Sequence, residues 1–414
     1  MTNLLTLFDI AVIVLAAKLA GMVARRIGQP VVVGEIAVGV LLGALLHVGE
    51  IAQVVVPGTV RTALNAVAAI GLVLFMFTVG HEWDHRLLRG KTRAAAGIAI
   101  GSTLLPFLLG GATAFWLATT RYHPAAPVVF VLFVGAAMSI TALPVLARIL
   151  VDRGLSATLV GRLSIAGAAA VDAAAWVLLA LIVAFAGGSS PWQMLLLVPF
   201  GLVMVFGVRP LLSTALSRWT GKGGFGLIFV GLFLSAVVTE WLGLHLVFGA
   251  FLFGAILPGR DNPEVRRHVA EVDRLCRSFL LPVFFVTAAI DVDLTGLGAA
   301  GLAELLVILA VAVAGKLLGA YLGARSGGVE HGPAAGVAVL MNARGVTELV
   351  VLQLGLQIGV LDRKLYSIMV LMALFTTALT GPLLALVRRR YGPVAELGTF
   401  VPDAPAVPSG ARDG

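Results

Sequence analysis

Residues 160–186 read VGRLSIAGAAAVDAAAWVLLALIVAFA, an apolar run with one carboxylate, Asp172, at its middle and only Arg162 for company near one edge. About 20 apolar residues in helical conformation cross the roughly 30 Å hydrocarbon layer of a bilayer, so this run reads as a transmembrane helix. A charge at its centre costs roughly 2.5–3.5 kcal/mol on insertion scales, and acids kept at that depth face protein or water and mark ion or proton pathways. The plainer alternative is that Asp172 partners a neighbouring Ser, Thr or Lys and only pins helix packing. Its place beside two interrupted helices favours ion handling.

The rest of the 414-residue chain repeats the pattern, since 59% of residues are hydrophobic and 12% charged, too much apolar surface for a water-soluble core. Apolar blocks at 4–24, 31–47, 62–80, 94–118, 127–150, 159–186, 191–214, 224–241, 244–258, 276–290, 301–324, 333–357 and 364–387 predict an all-α polytopic membrane protein of about 13 transmembrane helices. Basic residues Arg25 and Arg26 follow the first block and none precedes it, so it reads as a retained helix rather than a cleaved signal. Lys and Arg crowd one set of loops, among them Arg25, Arg26, Arg86, Arg89, Lys91, Arg153, Arg266, Arg267 and Arg388 to Arg390, while the other set holds Arg61, Arg121, Arg363 and Lys364. That asymmetry predicts an external N-terminus and a cytoplasmic C-terminus, and it accounts for the net charge of +8 without nucleic acid. The single cysteine, Cys276, excludes a disulfide framework and a thiolate metal cluster.

A division of six, one and six helices gives two inverted six-helix repeats, a recurrent transporter plan. Its signature is a pair of interrupted helices in corresponding positions. The fifth span contains Gly135-Ala-Ala-Met-Ser-Ile-Thr-Ala-Leu-Pro144 and the twelfth Met341-Asn-Ala-Arg-Gly-Val-Thr-Glu348, both too polar or too broken for lipid. Irregular backbone at membrane depth survives only against protein or a water-filled cavity, so the two segments are expected to cross near the midplane. The Pro-, Gly- and Ala-rich tail at 391–414 reads as disordered and cytoplasmic, and no folded domain is expected after the last helix.

The charged groups at membrane depth then converge: Asp172, Lys316, Arg344 and Glu348. A buried carboxylate can hold a proton or a cation but not both comfortably, the minimum machinery of antiport. Lys316 is bracketed by apolar residues and reads as a counter-charge or a stabiliser of half-helix C-terminal dipoles. Arg344 and Glu348, four residues apart, form a structural ion pair or take part in transport directly, with the structural reading at least as strong. Asn342 belongs to the same break. Ser139 and Thr141 offer oxygens to a hard ion, although such hydroxyls also bond back within helices. Glu35, at the start of the second helix, is structural or gating. Glu82 and Asp84 read as interfacial salt-bridge partners, and His81, His85 and His245 as packed or interfacial. The match to G-x-G-x-x-G at Gly221–Gly226 lacks a βαβ unit, and no catalytic or metal-ligand motif occurs, so no enzyme, cofactor or nucleotide-binding domain is expected. Any metal at Asp172 is a monovalent cation only. Small-xxx-small pairs at Gly39/Gly43, Gly97/Gly101 and Gly315/Gly319 predict close helix packing.

The chain resembles the monovalent cation:proton antiporter-2 family, in the wording of its plant and fungal cation/proton exchangers and related bacterial exchangers. The resemblance spans about Leu4 to Val387. It rests on Gln29-Pro-Val-Val-Val-Gly-Glu35, Phe75-Met-Phe-Thr-Val-Gly-His-Glu82, Ser139-Ile-Thr-Ala-Leu-Pro-Val-Leu-Ala-Arg-Ile-Leu150, Phe248-Gly-Ala-Phe-Leu-Phe-Gly254, Pro282-Val-Phe-Phe285, Met341-Asn-Ala-Arg-Gly-Val-Thr-Glu-Leu349 and Met369-Val-Leu-Met-Ala-Leu-Phe-Thr-Thr377. It implies K⁺ or Na⁺ exchange against H⁺ at Asp172 with Lys316 supporting the site, and an elevator motion in a homodimer. A core bundle (94–186 and 301–387) would move past a dimerisation bundle (4–80 and 224–290), joined by a linker helix (191–214). The residue before the acid is Val171, where the family usually has Asn, Asp or Gln, and a single acid implies electroneutral exchange. A bacterial plasma membrane is the expected location. The rival readings are a potassium-efflux channel-like subunit regulated by a separate partner, and a non-transporting cation sensor.

Overall fold

The apolar blocks fold as helices, and the polar interruptions within them as breaks. The computed structural model describes residues 2–46, 58–82, 92–156, 158–186, 196, 199–218, 222–242, 246–259, 262–294 and 296–392. In chain order these form α1 (Thr2–Arg26), α2 (Val31–Leu46), α3 (Gly58–Glu82) and α4 (Thr92–Leu117), the last prolonged by a π-helical turn at Ala118–Tyr122. The broken pair α5 (Pro127–Ser139) and α6 (Leu143–Asp152) follows, then α7 (Leu159–Ala186) and α8 (Arg209–Arg218), the latter entered through a π-helical stretch at Val203–Val208. Next come α9 (Lys222–Trp241), α10 (Leu246–Ile256), α11 (Pro263–Leu275) and α12 (Leu281–Ile290), with π-helical Cys276–Leu280 between the last two. The chain closes with α13 (Gly298–Ser326), a second broken pair, α14 (His331–Met341) and α15 (Val346–Gln357), and α16 (Arg363–Tyr391). Asp84, His85, Arg86, Arg89, Lys91, His245, Gly221, residues 191–195 and the tail from 393 lie outside the described residues.

Among the described residues there is no strand, and eight helices are long and apolar enough to cross a membrane. The α14–α15 pair, bent by 41°, makes a ninth, and α2, α5 and α10 are shorter apolar helices. The protein is an all-helical polytopic membrane protein. Its outward faces agree with a lipid solvent: Leu7, Phe8 and Leu15 on α1 and Val230, Leu234, Val237 and Trp241 on α9 are exposed, while Arg344, Glu348 and Lys316 are fully buried. That inversion of the water-soluble pattern is what a hydrocarbon surround requires.

Helix packing falls into two groups. In one, α4 lies along α13, and α5, α7, α14 and α16 pack around them; in the other, α3 packs on α10, α2 on α12 and α1, and α10 on α9. Glycine permits the closest approaches: Gly97 and Gly101 of α4 face the backbone of Gly319 and Gly323 of α13, and a side chain at Gly39 would sit 2.8 Å from the Val286 carbonyl of α12.

Two departures from the sequence reading have a clear physical cause. α16 runs to Tyr391, beyond the expected end at 387, because Arg388 to Arg390 complement the negative C-terminal end of the helix dipole. The stretch between the expected ninth and tenth spans contains α11, a surface amphipathic helix whose Asn262 side chain caps the Glu264 amide and whose Val265, Val269 and Val272 face inward.

Candidate ion-binding site

The two breaks meet and bond each other. α5 ends at Ser139 and the chain runs extended through Ile140. The Ala142 amide donates to the Ala343 carbonyl at 3.1 Å, and the Thr141 hydroxyl donates to the Met341 carbonyl at 3.1 Å, so each interruption satisfies backbone groups freed by the other. The C-terminal carbonyls of α5 are then capped by two buried cations. Arg344 donates to Ala137 O at 3.2 Å and to Met138 O at 2.6 Å, and Lys316 Nζ donates to Ser139 O and, at 2.6 Å, to the Thr141 hydroxyl. Positive charge is favoured there because unpaired carbonyls and the helix dipole both present negative charge.

The second break is held from α15 and α16. Arg344 pairs with Glu348 at 2.7 Å, both fully buried. The Asn342 side-chain amide donates to Thr376 O at 3.1 Å, and the Thr377 hydroxyl accepts from the Arg344 amide at 2.9 Å. Thr376 and Thr377 enter the sequence analysis only as the end of the Met369–Thr377 motif, and their paired hydroxyls inside an apolar helix are the signal for a role at the break.

Asp172, on α7, is 3% exposed, and neither carboxylate oxygen has a hydrogen-bond partner among the described residues. The Leu143 amide, at the N-terminus of α6, and Lys316 act on it electrostatically without meeting hydrogen-bond geometry. Buried carboxylate oxygens are ordinarily satisfied, so this pair is available to a proton or a hard cation. Asn342 Oδ1, Thr347 Oγ1 and Glu348 Oε2 are likewise buried and unpartnered around the breaks. Asp172, Ser139, Thr141, Lys316, Asn342, Arg344 and Glu348 thus belong to α7, α13 and the two breaks. Val171 beside the acid is buried.

Glu35 stands apart from these groups. It lines a cavity of about 170 Å³ bounded by Lys18, Phe75, Val145, Arg148, Phe285 and Val346. A second cavity, of about 300 Å³, is lined by Leu72, Glu240, Phe284, Ala288, Val350 and Gln353. Along α3, α12 and α15 the two occupy successive turns of the same faces, so they approach one seam from opposite ends. Beside the second cavity, Tyr366 of α16 donates to Ala288 O of α12, and its oxygen lies 2.9 Å from Gln353 Oε1. Glu304, an acid inside an apolar run that sequence reading passed over, takes Tyr122 at 2.8 Å and Lys364 at 3.0 Å and ties α4, α13 and α16 together. His81 stacks on Phe77 within α3.

The family model described as sodium/hydrogen exchanger, transmembrane, matches residues 12–389. The Na(+)/H(+) antiporter NhaS4 of Synechocystis is 37% identical over 399 residues, covering 92% of this chain and 97% of that protein. Cation/H(+) antiporter 17 of Arabidopsis thaliana is 36% identical over 392 residues, and the chain spans about half of that longer relative, 48%. In fold, the chain is similar to the sodium proton antiporter MjNhaP1 from Methanocaldococcus jannaschii, with a TM-score of 0.61 at 15% identity over 96% of this chain and 99% of that one.

Proposed function

The chain belongs to the sodium/hydrogen exchanger family, and from that premise we propose that it exchanges K⁺ or Na⁺ for H⁺ at Asp172. It is an integral multi-pass membrane protein, an antiporter of a monovalent cation against protons and not an enzyme. The observation that carries the site assignment is the bare carboxylate of Asp172 beside two crossed helix breaks whose own charges are already matched. Proton and cation compete for the same two oxygens, so the acid is loaded with one or the other at each passage.

With Lys316 and Arg344 committed to α5 carbonyls and Val171 beside the acid, one carboxylate charge is gained or lost per cycle, which supports one-for-one, electroneutral exchange. Ser139, Thr141, Asn342 and Glu348 shape the site. Two cavities on one seam support an elevator motion of a core (94–186 and 301–387) past a scaffold (4–80 and 224–290) linked through 191–214. The apolar stripes of α1 and α9 are the surfaces for a homodimer. Lys18, Arg25, Arg148 and Arg277 around the first cavity support a cytoplasmic mouth, hence an external N-terminus, a cytoplasmic C-terminus and an inward-open state in a bacterial plasma membrane. About 13 crossings in two inverted repeats fit this arrangement.

The test is proton movement in proteoliposomes carrying a pH dye after addition of K⁺, Na⁺, Li⁺ or Rb⁺. Cation-dependent flux that vanishes in Asp172→Asn, with expression and oligomeric state unchanged, is the expected result. Flux retained by the purified mutant rules out the assignment of Asp172.

A further inference from the structure

The cavity that opens toward the break is lined by the wrong sign of charge for a cation path. Lys18 and Arg25 of α1, Arg148 of α6 and Arg277, the last paired with Asp273 at 2.7 Å, surround it, and Glu35 is the sole acid among its lining residues. Glu35 is 5% exposed, and among the described residues it makes neither a hydrogen bond nor an ion pair. Lys18 and Arg148 act on it only through space. A buried carboxylate kept out of an ion pair, with two cations lining the same cavity, is not explained by structural charge matching.

Its position suggests a use. The inner wall of the cavity includes Val145 and Val346, and Gly345, the last residue of the second break, packs directly against the Val145 side chain. The cavity therefore reaches the edge of the crossed breaks, with Glu35 on its scaffold side and Arg148 on its core side. A cation approaching from the basic end meets the positive charges of Lys18 and Arg25 and a single carboxylate that offers hard oxygen ligands. Charge of one sign along such a low-dielectric cleft governs the local concentration of the opposite sign.

We propose that Glu35 is a staging site, the first group to bind the monovalent cation on its way from the basic mouth to Asp172. This rests on the antiporter reading and extends it to a second carboxylate. The staging site offsets the repulsion of the basic ring and sets the apparent affinity from that side, whereas Asp172 is required for exchange itself.

Two measurements test this separately. In proteoliposomes supplied with Na⁺ or K⁺ at the basic mouth, Glu35→Gln raises the cation KM about threefold to tenfold, more than it lowers kcat, and Glu35→Asp restores it. Lys18→Gln, which removes a repelling charge, lowers KM. A Lys18→Gln KM unchanged or raised, or a Glu35→Gln KM within twofold of the parent, overturns the proposal. Equilibrium binding of ²²Na⁺ or ⁸⁶Rb⁺ to the purified full chain is independent of flux. Weak binding that persists in Asp172→Asn and is lost in Asp172→Asn/Glu35→Gln supports the staging site, and equal binding by the two overturns it. A parent chain with no cation-dependent proton flux removes the antiporter reading, and the binding comparison still decides the role of Glu35.

Discussion

Lys316 Nζ lies 2.6 Å from the Thr141 hydroxyl and caps the Ser139 carbonyl, and it forms no ion pair with Asp172. The lysine serves the end of α5, from a helix 177 residues away in sequence, and leaves the acid free for its cargo. Sharing the local field without sharing a bond lets the acid change its load while the break keeps its cap.

Removing that cap has a defined consequence. Lys316→Ala leaves a buried carbonyl and a hydroxyl without their donor, which costs about 1–3 kcal/mol. A thermal-unfolding midpoint below the parent, with reduced exchange, is expected. An unchanged midpoint and unchanged exchange would falsify the capping role.

Arg344 and Glu348 behave as one unit. Glu348→Gln strands a buried guanidinium and costs about 3–5 kcal/mol, whereas replacing both by apolar residues costs less than the two single changes together. Detergent-solubilised variants compared by thermal stability give the coupling, and strict additivity would show that the pair is not one unit.

Val171 bears on stoichiometry. Exchange by the parent is expected to be insensitive to an imposed membrane potential. Val171→Asp places a second carboxylate beside Asp172 and makes the flux voltage-dependent in proteoliposomes. Potential-dependent exchange by the parent itself would sink the electroneutral reading.

Tyr366 latches α16 to α12 at the end of the seam away from the basic mouth. Tyr366→Phe removes the hydrogen bond to Ala288 O, worth about 0.5–1.5 kcal/mol, and shifts the population toward opening there. The readout is thiol labelling of Thr287→Cys, which lines the second cavity, in a background lacking Cys276. Labelling is expected to quicken about twofold to tenfold, and an unchanged rate would mean that the latch does not hold this state.

The helices were legible because a bilayer demands a length of apolar residues that few other environments need, and the breaks because Ser139–Pro144 and Met341–Glu348 violate that demand. Asp172 stood out for the same reason. What could not be read was partnership. The carbonyls that receive Lys316 and Arg344, and the bond between Ala142 and Ala343, exist only once two distant segments cross. Glu304 carried the same signal as Asp172, an acid in an apolar run, yet its neighbours Tyr122 and Lys364 come from other helices and mark it as a tie. Helix α11 was missed because a polar stretch between spans looks like a loop until the spacing of Val265, Val269 and Val272 is counted.

The two cavities leave very little protein between them. On α15, Val346 lines one and Val350 the other, a separation of one helical turn or about 6 Å along the axis. Were the Tyr366 latch to open while the basic mouth stayed open, water in both cavities would place most of a transmembrane voltage across about 6 Å instead of the roughly 30 Å of lipid. The electric field at that septum is then about fivefold stronger than in the surrounding bilayer, and a charge displaced by one turn of helix traverses most of the voltage.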